Sequence, residues 1–167
     1  MGISLRFNGS SIILTLGFVG ISLSGFACSA PAGEPFEEAL VVRVIDGDTV
    51  ELENGDRIRY LGIDTPETVH PNKPVECYGP EAYERNKGLV EGKRVRLLKD
   101  SSDRDAYDRL LRYVFVDGIF VNGDLVWGGY AYARSYGDNA VFYQTLVQLE
   151  RSAREGERGL WAACPGS

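Results

Sequence analysis

Three short acidic and basic clusters carry side chains suited to phosphoryl chemistry. Asp46-Gly47-Asp48-Thr49 and Asp64-Thr65-Pro66-Glu67 lie upstream, and Asp105-Ala106-Tyr107-Asp108-Arg109 lies about 40 residues beyond. Within and beside them stand three carboxylates, Asp48, Asp64 and Glu67, and two arginines, Arg59 and Arg109. Hard cations prefer carboxylate and carbonyl oxygens. Hydrolysis of a phosphodiester needs such a cation, a group that directs water, and guanidinium groups around the developing charge. This set of residue types can supply all three.

Positioning these groups requires short strands with tight connections. From Ala39 the apolar positions alternate, with Leu40, Val42 and Val44 on one side and Val41, Arg43 and Ile45 on the other, up to the Asp46-Gly47-Asp48 turn. Extended pattern resumes over Thr49–Glu53. Asn54-Gly55 is a strong hairpin signal, and Arg57–Ile63 reads as the returning strand, which makes a meander. Strict alternation puts Arg59 and Asp64 on opposite faces, so both line one site only if the strand ends or bulges before Asp64. Asp64–Tyr78 is a long connection with three prolines, a length that marks a functional loop. Pro80 suits the first turn of a helix that Gly92 can end. Lys93–Leu98 and Leu110–Val116 read as strands, with Asp117-Gly118 as a turn. Asn122 is placed to cap a short helix through Tyr130. A last helix is expected over Asn139–Arg154, with Phe142, Leu146, Leu149 and Ala153 on its buried face. Five strands with three helices fit an α+β chain built on a small Greek-key barrel of the OB type.

Each cluster also has an ordinary explanation. Asp-Gly-Asp is turn chemistry. Thr65-Pro66-Glu67 can cap a helix, although Pro71 and Pro74 would break one there. Arg109 sits in a charge run with Arg104, Asp105, Asp108 and Arg112. Arg59, on the side of Leu61 and Ile63, is costly to bury unless it meets a carboxylate or an anion.

Composition narrows the classes. The chain has 167 residues, 44% of them apolar and 25% charged, which fits one soluble globular domain. A formal charge of -6 argues against a nucleic-acid coat protein but not against an enzyme with a locally cationic cleft. A single histidine, His70, excludes two-histidine acid–base schemes and histidine-rich metal sites.

Residues 1–27 read as an export signal: Arg6 is followed by an apolar run from Ile12 to Phe26, short for a membrane span, ending in small residues. An N-terminal anchor helix is the alternative. Gly25-Phe26-Ala27-Cys28 resembles a lipoprotein box, which makes Cys28 a candidate lipid anchor, against a plain cut after Ser29 or Ala32. Loss of Arg6 with residues 1–27 takes the charge from -6 to -7. Residues 28–38 read as a tether and 39–164 as the folded domain. With Cys28 lipidated or removed, Cys77 and Cys164 remain as a pair, and a disulfide between them would close a loop of about 90 residues.

The run from Val44 to Val50, VIDGDTV, followed by RYLGIDTPET from Arg59 to Thr68, resembles the staphylococcal nuclease family. The stretch His70–Ala82, Tyr107-Asp108-Arg109 and Gly159-Leu160-Trp161 extend the resemblance over about residues 38–161. It implies an OB barrel that uses one calcium ion to hydrolyse DNA and RNA and leaves 3′-phosphates. By position, Asp48, Asp64 and the Thr65 carbonyl correspond to calcium ligands, with Asp46 in the same acidic turn. Glu67 corresponds to the general base or organiser of the attacking water, and Arg59 and Arg109 to the guanidinium groups on the scissile phosphate. Lys73 matches a substrate-side lysine and Tyr107 a substrate-side tyrosine. Ala106 stands where the staphylococcal enzyme has a lysine, and Asp108 where it has a glycine. Ser135 and Gly137 fall near its stacking tyrosines, for which Tyr132 and Tyr136 are the substitutes.

The expectation is thus an exported, monomeric, calcium-dependent nuclease. A nucleic-acid-binding module on the same barrel is the rival, and such a module should have lost one or more of Arg59, Asp48, Asp64, Glu67 and Arg109. All five are present. A barrel that binds oligosaccharide or protein at the cell surface is the third reading.

Overall fold

The computed structural model describes residues 36–68, 74–139, 141–164 and 166. The expected export signal, Cys28 and Lys73 lie outside the described residues.

Five strands close a barrel: β1 (Glu37–Asp46), β2 (Thr49–Leu52), β3 (Arg57–Tyr60), β5 (Arg94–Leu98) and β6 (Leu110–Val116). β1 is long enough to serve two partners. Its first half pairs antiparallel with β5 through Glu37↔Leu97, and its second half with β2 through Val44↔Val50. β2 pairs with β3 and β5 with β6, and a parallel pairing of β3 with β6, Arg59↔Leu111, closes the cylinder. Closure removes the free sheet edges. Three short strands supplement it: β4 (Ile63–Asp64) pairs with β8 (Tyr132–Ala133), and β7 (Ile119–Phe120) pairs antiparallel with β6. Val41, Val50, Ile58, Tyr60 and Val114 fill the interior.

The expected alternation along β1 breaks. Register shifts fall between Val41 and Arg43 and between Val44 and Asp46, so Val41 and Val44 both point inward while Val42 is exposed. A bulge adds a residue to one strand and reverses the facing of those after it. Here the second shift delivers Asp46, nearly buried, at the barrel end.

The returning strand also stops early. β3 ends at Tyr60, and Gly62 takes a positive φ of 77° that side chains rarely adopt. A Cβ on Gly62 would also lie 2.5 Å from Leu146. The kink resets the face, so that Arg59 on β3 and Asp64 on β4 can meet.

Among the described residues there are four helices, α1 (Gly79–Val90), α2 (Val121–Trp127), α3 (Tyr143–Glu155) and the single turn α4 (Leu160–Ala163), one more than expected. Asn122 is not a cap. It lies inside α2, fully buried, where it accepts the Val114 N–H at 2.9 Å and donates to the Leu61 carbonyl at 2.8 Å. α3 begins four residues later than the pattern suggested, because Asn139 is used elsewhere. Its side chain accepts the Ser102 N–H and donates to the Tyr136 carbonyl, tying two loops together. Cys77 and Cys164 are joined by a disulfide, their Cα atoms 5.9 Å apart. Among the described residues no helix is long and apolar enough to cross a membrane.

Candidate active site

The two acidic segments meet because Gly47 has no side chain. A Cβ there would stand 2.7 Å from Thr65 Oγ1, so the β1–β2 turn lies directly on Asp64-Thr65. Asp48 confirms the join: its Oδ2 accepts the Thr65 N–H at 2.9 Å and its Oδ1 accepts the Thr49 hydroxyl. From below, buried Asn86 of α1 donates to the Asp46 carbonyl at 3.3 Å and accepts the Tyr60 hydroxyl at 3.0 Å. Asn86 occupies the same helix stripe as Ala82, Leu89 and Val90, so an amide amid apolar spacing is the signal that marks it.

Arg59 is the centre of the arrangement. Its side chain is only 10% exposed and forms ion pairs with Asp48 and, at 2.7 Å, with Asp64 Oδ1. Its Nη2 also donates to the Tyr136 hydroxyl at 2.9 Å. Burial works against its charge, but Asp48 foremost, with Asp64, holds the guanidinium more firmly protonated than usual. Burial raises the Asp64 carboxyl, with Arg59 opposing and Asp48 adding to the rise.

Asp46 accepts the Gly47 N–H at 2.8 Å and a hydrogen bond from the Thr68 hydroxyl. Burial lifts its carboxyl from 3.8 to about 6, and the charges of Asp48 and Glu67 add to the rise. Glu67 therefore lies within electrostatic reach of Asp46. Its Oε1 accepts the Thr68 N–H.

Arg109 approaches from the other side. It immediately precedes β6, and Asp105, four residues earlier, holds it: Nε and Nη2 each reach Asp105 Oδ2 at 2.7 Å, and its N–H donates to Oδ1. The charge run expected here is only partly solvated, because Arg112 is 3% exposed and pairs with Asp103 at 2.9 Å.

A cleft of about 340 Å³ has Arg59, Arg109, Tyr107 and Tyr136 among its walls. Tyr107 is 82% exposed, with the Arg109 guanidinium 5.5 Å from its ring. Tyr132 is not in that wall. It pairs with Asp64 through the backbone and packs edge-on against Trp161, 5.3 Å between centroids.

The side chains here are oxygen donors of the kind a hard cation takes, and among the described residues no three acidic side chains converge closely enough to hold an ion as they stand. Arg59 pairs with Asp48 and Asp64, the charges of Asp48 and Glu67 act on Asp46, and Thr65 Oγ1 is buried with no hydrogen-bond partner among the described residues. A divalent ion with oxygen ligands would offset the carboxylate charge gathered here.

The model of the family described as staphylococcal nuclease homologue matches residues 57–163. This chain belongs to that family. It is 36% identical over 125 residues to a thermonuclease of Staphylococcus hyicus, covering 73% of this chain and 74% of the relative. A thermonuclease of Staphylococcus intermedius is 38% identical over 128 residues, 75% and 76% of the two chains. Endonuclease YncB of Bacillus subtilis (strain 168) is 42% identical over 125 residues, 72% of this chain and 59% of that protein. Family membership accords with the closed five-stranded barrel.

Proposed function

We propose that this chain is an exported nuclease that uses calcium to hydrolyse phosphodiester bonds in DNA and RNA, acting as a monomer and leaving 3′-phosphates. One observation carries the reading: Arg59, clamped by Asp48 and Asp64, opens into the same cleft as Arg109. Two guanidiniums on one cleft, one of them braced by Asp48 and Asp64, fit a phosphodiester whose charge grows during reaction. Asp48, Asp64 and the Thr65 carbonyl would hold the calcium ion, with Asp46 behind them. When bound, the ion polarises a phosphoryl oxygen and offsets its charge. Glu67 orients a water and takes its proton as the water oxygen bonds to phosphorus. Arg59 and Arg109 donate to the phosphoryl oxygens throughout, and as guanidiniums they keep their charge near neutral pH. The 5′ oxygen leaves and acquires a proton, so the phosphate stays on the 3′ side. Tyr107 offers an exposed ring on which a base can stack, and Tyr136 fixes Arg59. Tyr132 supports Asp64 from β8, and Lys73 is assigned to the substrate side by position alone.

Export is proposed from the apolar run of residues 12–26 and the small residues after it. Cleavage before Cys28 would leave it available for a lipid. Mass spectrometry of the mature amino terminus distinguishes an acylated Cys28 from a cut after Ser29 or Ala32.

The test is digestion of single-stranded DNA by the mature protein, with calcium and with chelator, beside Glu67→Gln. Calcium-dependent cleavage that collapses in Glu67→Gln supports the enzyme and this loop. If both proteins bind DNA in calcium and leave it uncut, the chain is a binding module instead.

A further inference from the structure

Glu67 and Glu76, on the described parts of one connection, bond to each other. The Glu76 N–H donates to the Glu67 carbonyl at 2.9 Å, and the Glu67 N–H donates to Glu76 Oε2 at 3.1 Å. Two reciprocal bonds thus grip the residue assigned to direct water. The start of α1 sits against the same segment: a Cβ on Gly79 would lie 2.8 Å from Thr68 Cγ2 and 3.1 Å from the carbonyl oxygens of Pro66 and Glu67. Between Glu76 and this contact comes Cys77, bonded to Cys164 across 87 residues of sequence. The far end of that link is well planted. The Cys164 N–H donates to the Leu160 carbonyl, the Leu160 N–H donates to the Gly129 carbonyl, and Leu160 is fully buried.

Glu76 and Cys77 are themselves exposed. A hydrogen bond open to water contributes only about 1 kcal/mol net, so the Glu76 bonds alone would yield readily to solvent. A covalent tie to a turn anchored by buried Leu160 does not compete with water, and it removes chain freedom at the residue next to the clamp.

We propose that Glu76 is a positioning residue for Glu67, and that the Cys77–Cys164 link holds Glu76 in place. The placement of the water-directing carboxylate is then referred through one residue and one disulfide to the C-terminal turn. This inference rests on the reading of Glu67 given above.

The test compares wild type with Glu76→Ala, Glu76→Gln, the double variant Cys77→Ser/Cys164→Ser, and the triple combination with Glu76→Ala. All are assayed on single-stranded DNA at saturating calcium, at a temperature where circular dichroism shows each one folded. Glu76→Ala and the cysteine double variant should each lower kcat about tenfold or more with KM unchanged, the range a small misplacement costs. Hydrogen exchange at the Glu67 amide should accelerate in both. Glu76→Gln keeps a side-chain acceptor and should restore kcat and amide protection. The triple variant should be no slower than the slower of its parents, because both changes act through one contact. A Glu76→Ala protein with wild-type kcat and a protected Glu67 amide overturns the proposal, as do losses that simply multiply in the triple variant. Wild type that fails to cut DNA, with amide protection still following Glu76, would sink the nuclease reading and leave the clamp standing.

Discussion

Arg59 and Arg109 face one cleft but are held in different ways. Arg59 stands in a barrel strand, 10% exposed, and Asp48, Asp64 and Tyr136 reach it from β1–β2, β4 and the loop after β8. Arg109 stands in a loop, 28% exposed, and its orientation comes from Asp105 four residues earlier. The first arrangement is tertiary and ties the chemistry to the stability of the barrel. The second is local, so the guanidinium can be disturbed with little consequence for the fold. Substitutions should therefore separate the two sides by whether activity and stability fall together.

Arg59→Ala should have the largest effect. It removes the proposed phosphate donor and strands Asp48 in a buried site, so cleavage should drop about 10³-fold. Calcium-free protein should also lose about 3 kcal/mol in urea unfolding, as expected when one partner of a buried pair is deleted. Retained stability would mean that the barrel half is not coupled as described. On the loop side, Asp105→Asn loosens Arg109 and should slow cleavage roughly tenfold, the scale of a misplaced group. Its unfolding free energy should change by less than about 1 kcal/mol, since the pair is partly exposed. A large stability loss there would erase the contrast. Tyr107→Ala removes only an exposed ring. KM for single-stranded DNA should rise roughly tenfold, the value of one lost stacking contact, with kcat and melting temperature unchanged.

The last effect bears on stability alone, a pH dependence on the barrel side. The folded Asp46 carboxyl titrates at about 6 against 3.8 for its ordinary value, chiefly through burial. In calcium-free protein below about pH 4 both folded and unfolded chains hold this proton, and the group contributes no difference. As pH rises from about 4 to about 6 the unfolded chain gives up the proton first, so this carboxyl destabilises the fold increasingly and then levels off. Asp46→Asn should remove that penalty, and its melting temperature should gain on wild type over this window. Equal gains at pH 4 and pH 7 would place the effect elsewhere. Calcium should narrow the gap at pH 7 if Asp46 lies behind the bound ion.

The acidic turn, the Asp64–Glu67 segment and the Arg109 loop are legible as chemistry in the sequence, because each is a short run of unusual residue types. β6 over Leu110–Val116 and the Asp117-Gly118 turn are equally legible, since local pattern and turn chemistry agree there. The phase of β1 is not, because a bulge leaves the residue types unchanged and alters only which face each one takes. The buried asparagines are also missed. Asn122 reads as a cap from its neighbours, yet it joins Val114 to Leu61, two residues that only the fold makes adjacent.

The sequence by itself determined the inventory: clustered carboxylates with a single histidine, two arginines, and a family pattern that spans the domain. Whether those groups share a site was decided by tertiary structure. Strict alternation along Arg57–Ile63 would have set Arg59 and Asp64 on opposite faces. The left-handed turn at Gly62, pressed by Leu146 of α3, brings them to 2.7 Å. The physical reason is that facing in a strand has a period of two residues, so one kink reverses every residue after it, and only packing fixes where the kink falls.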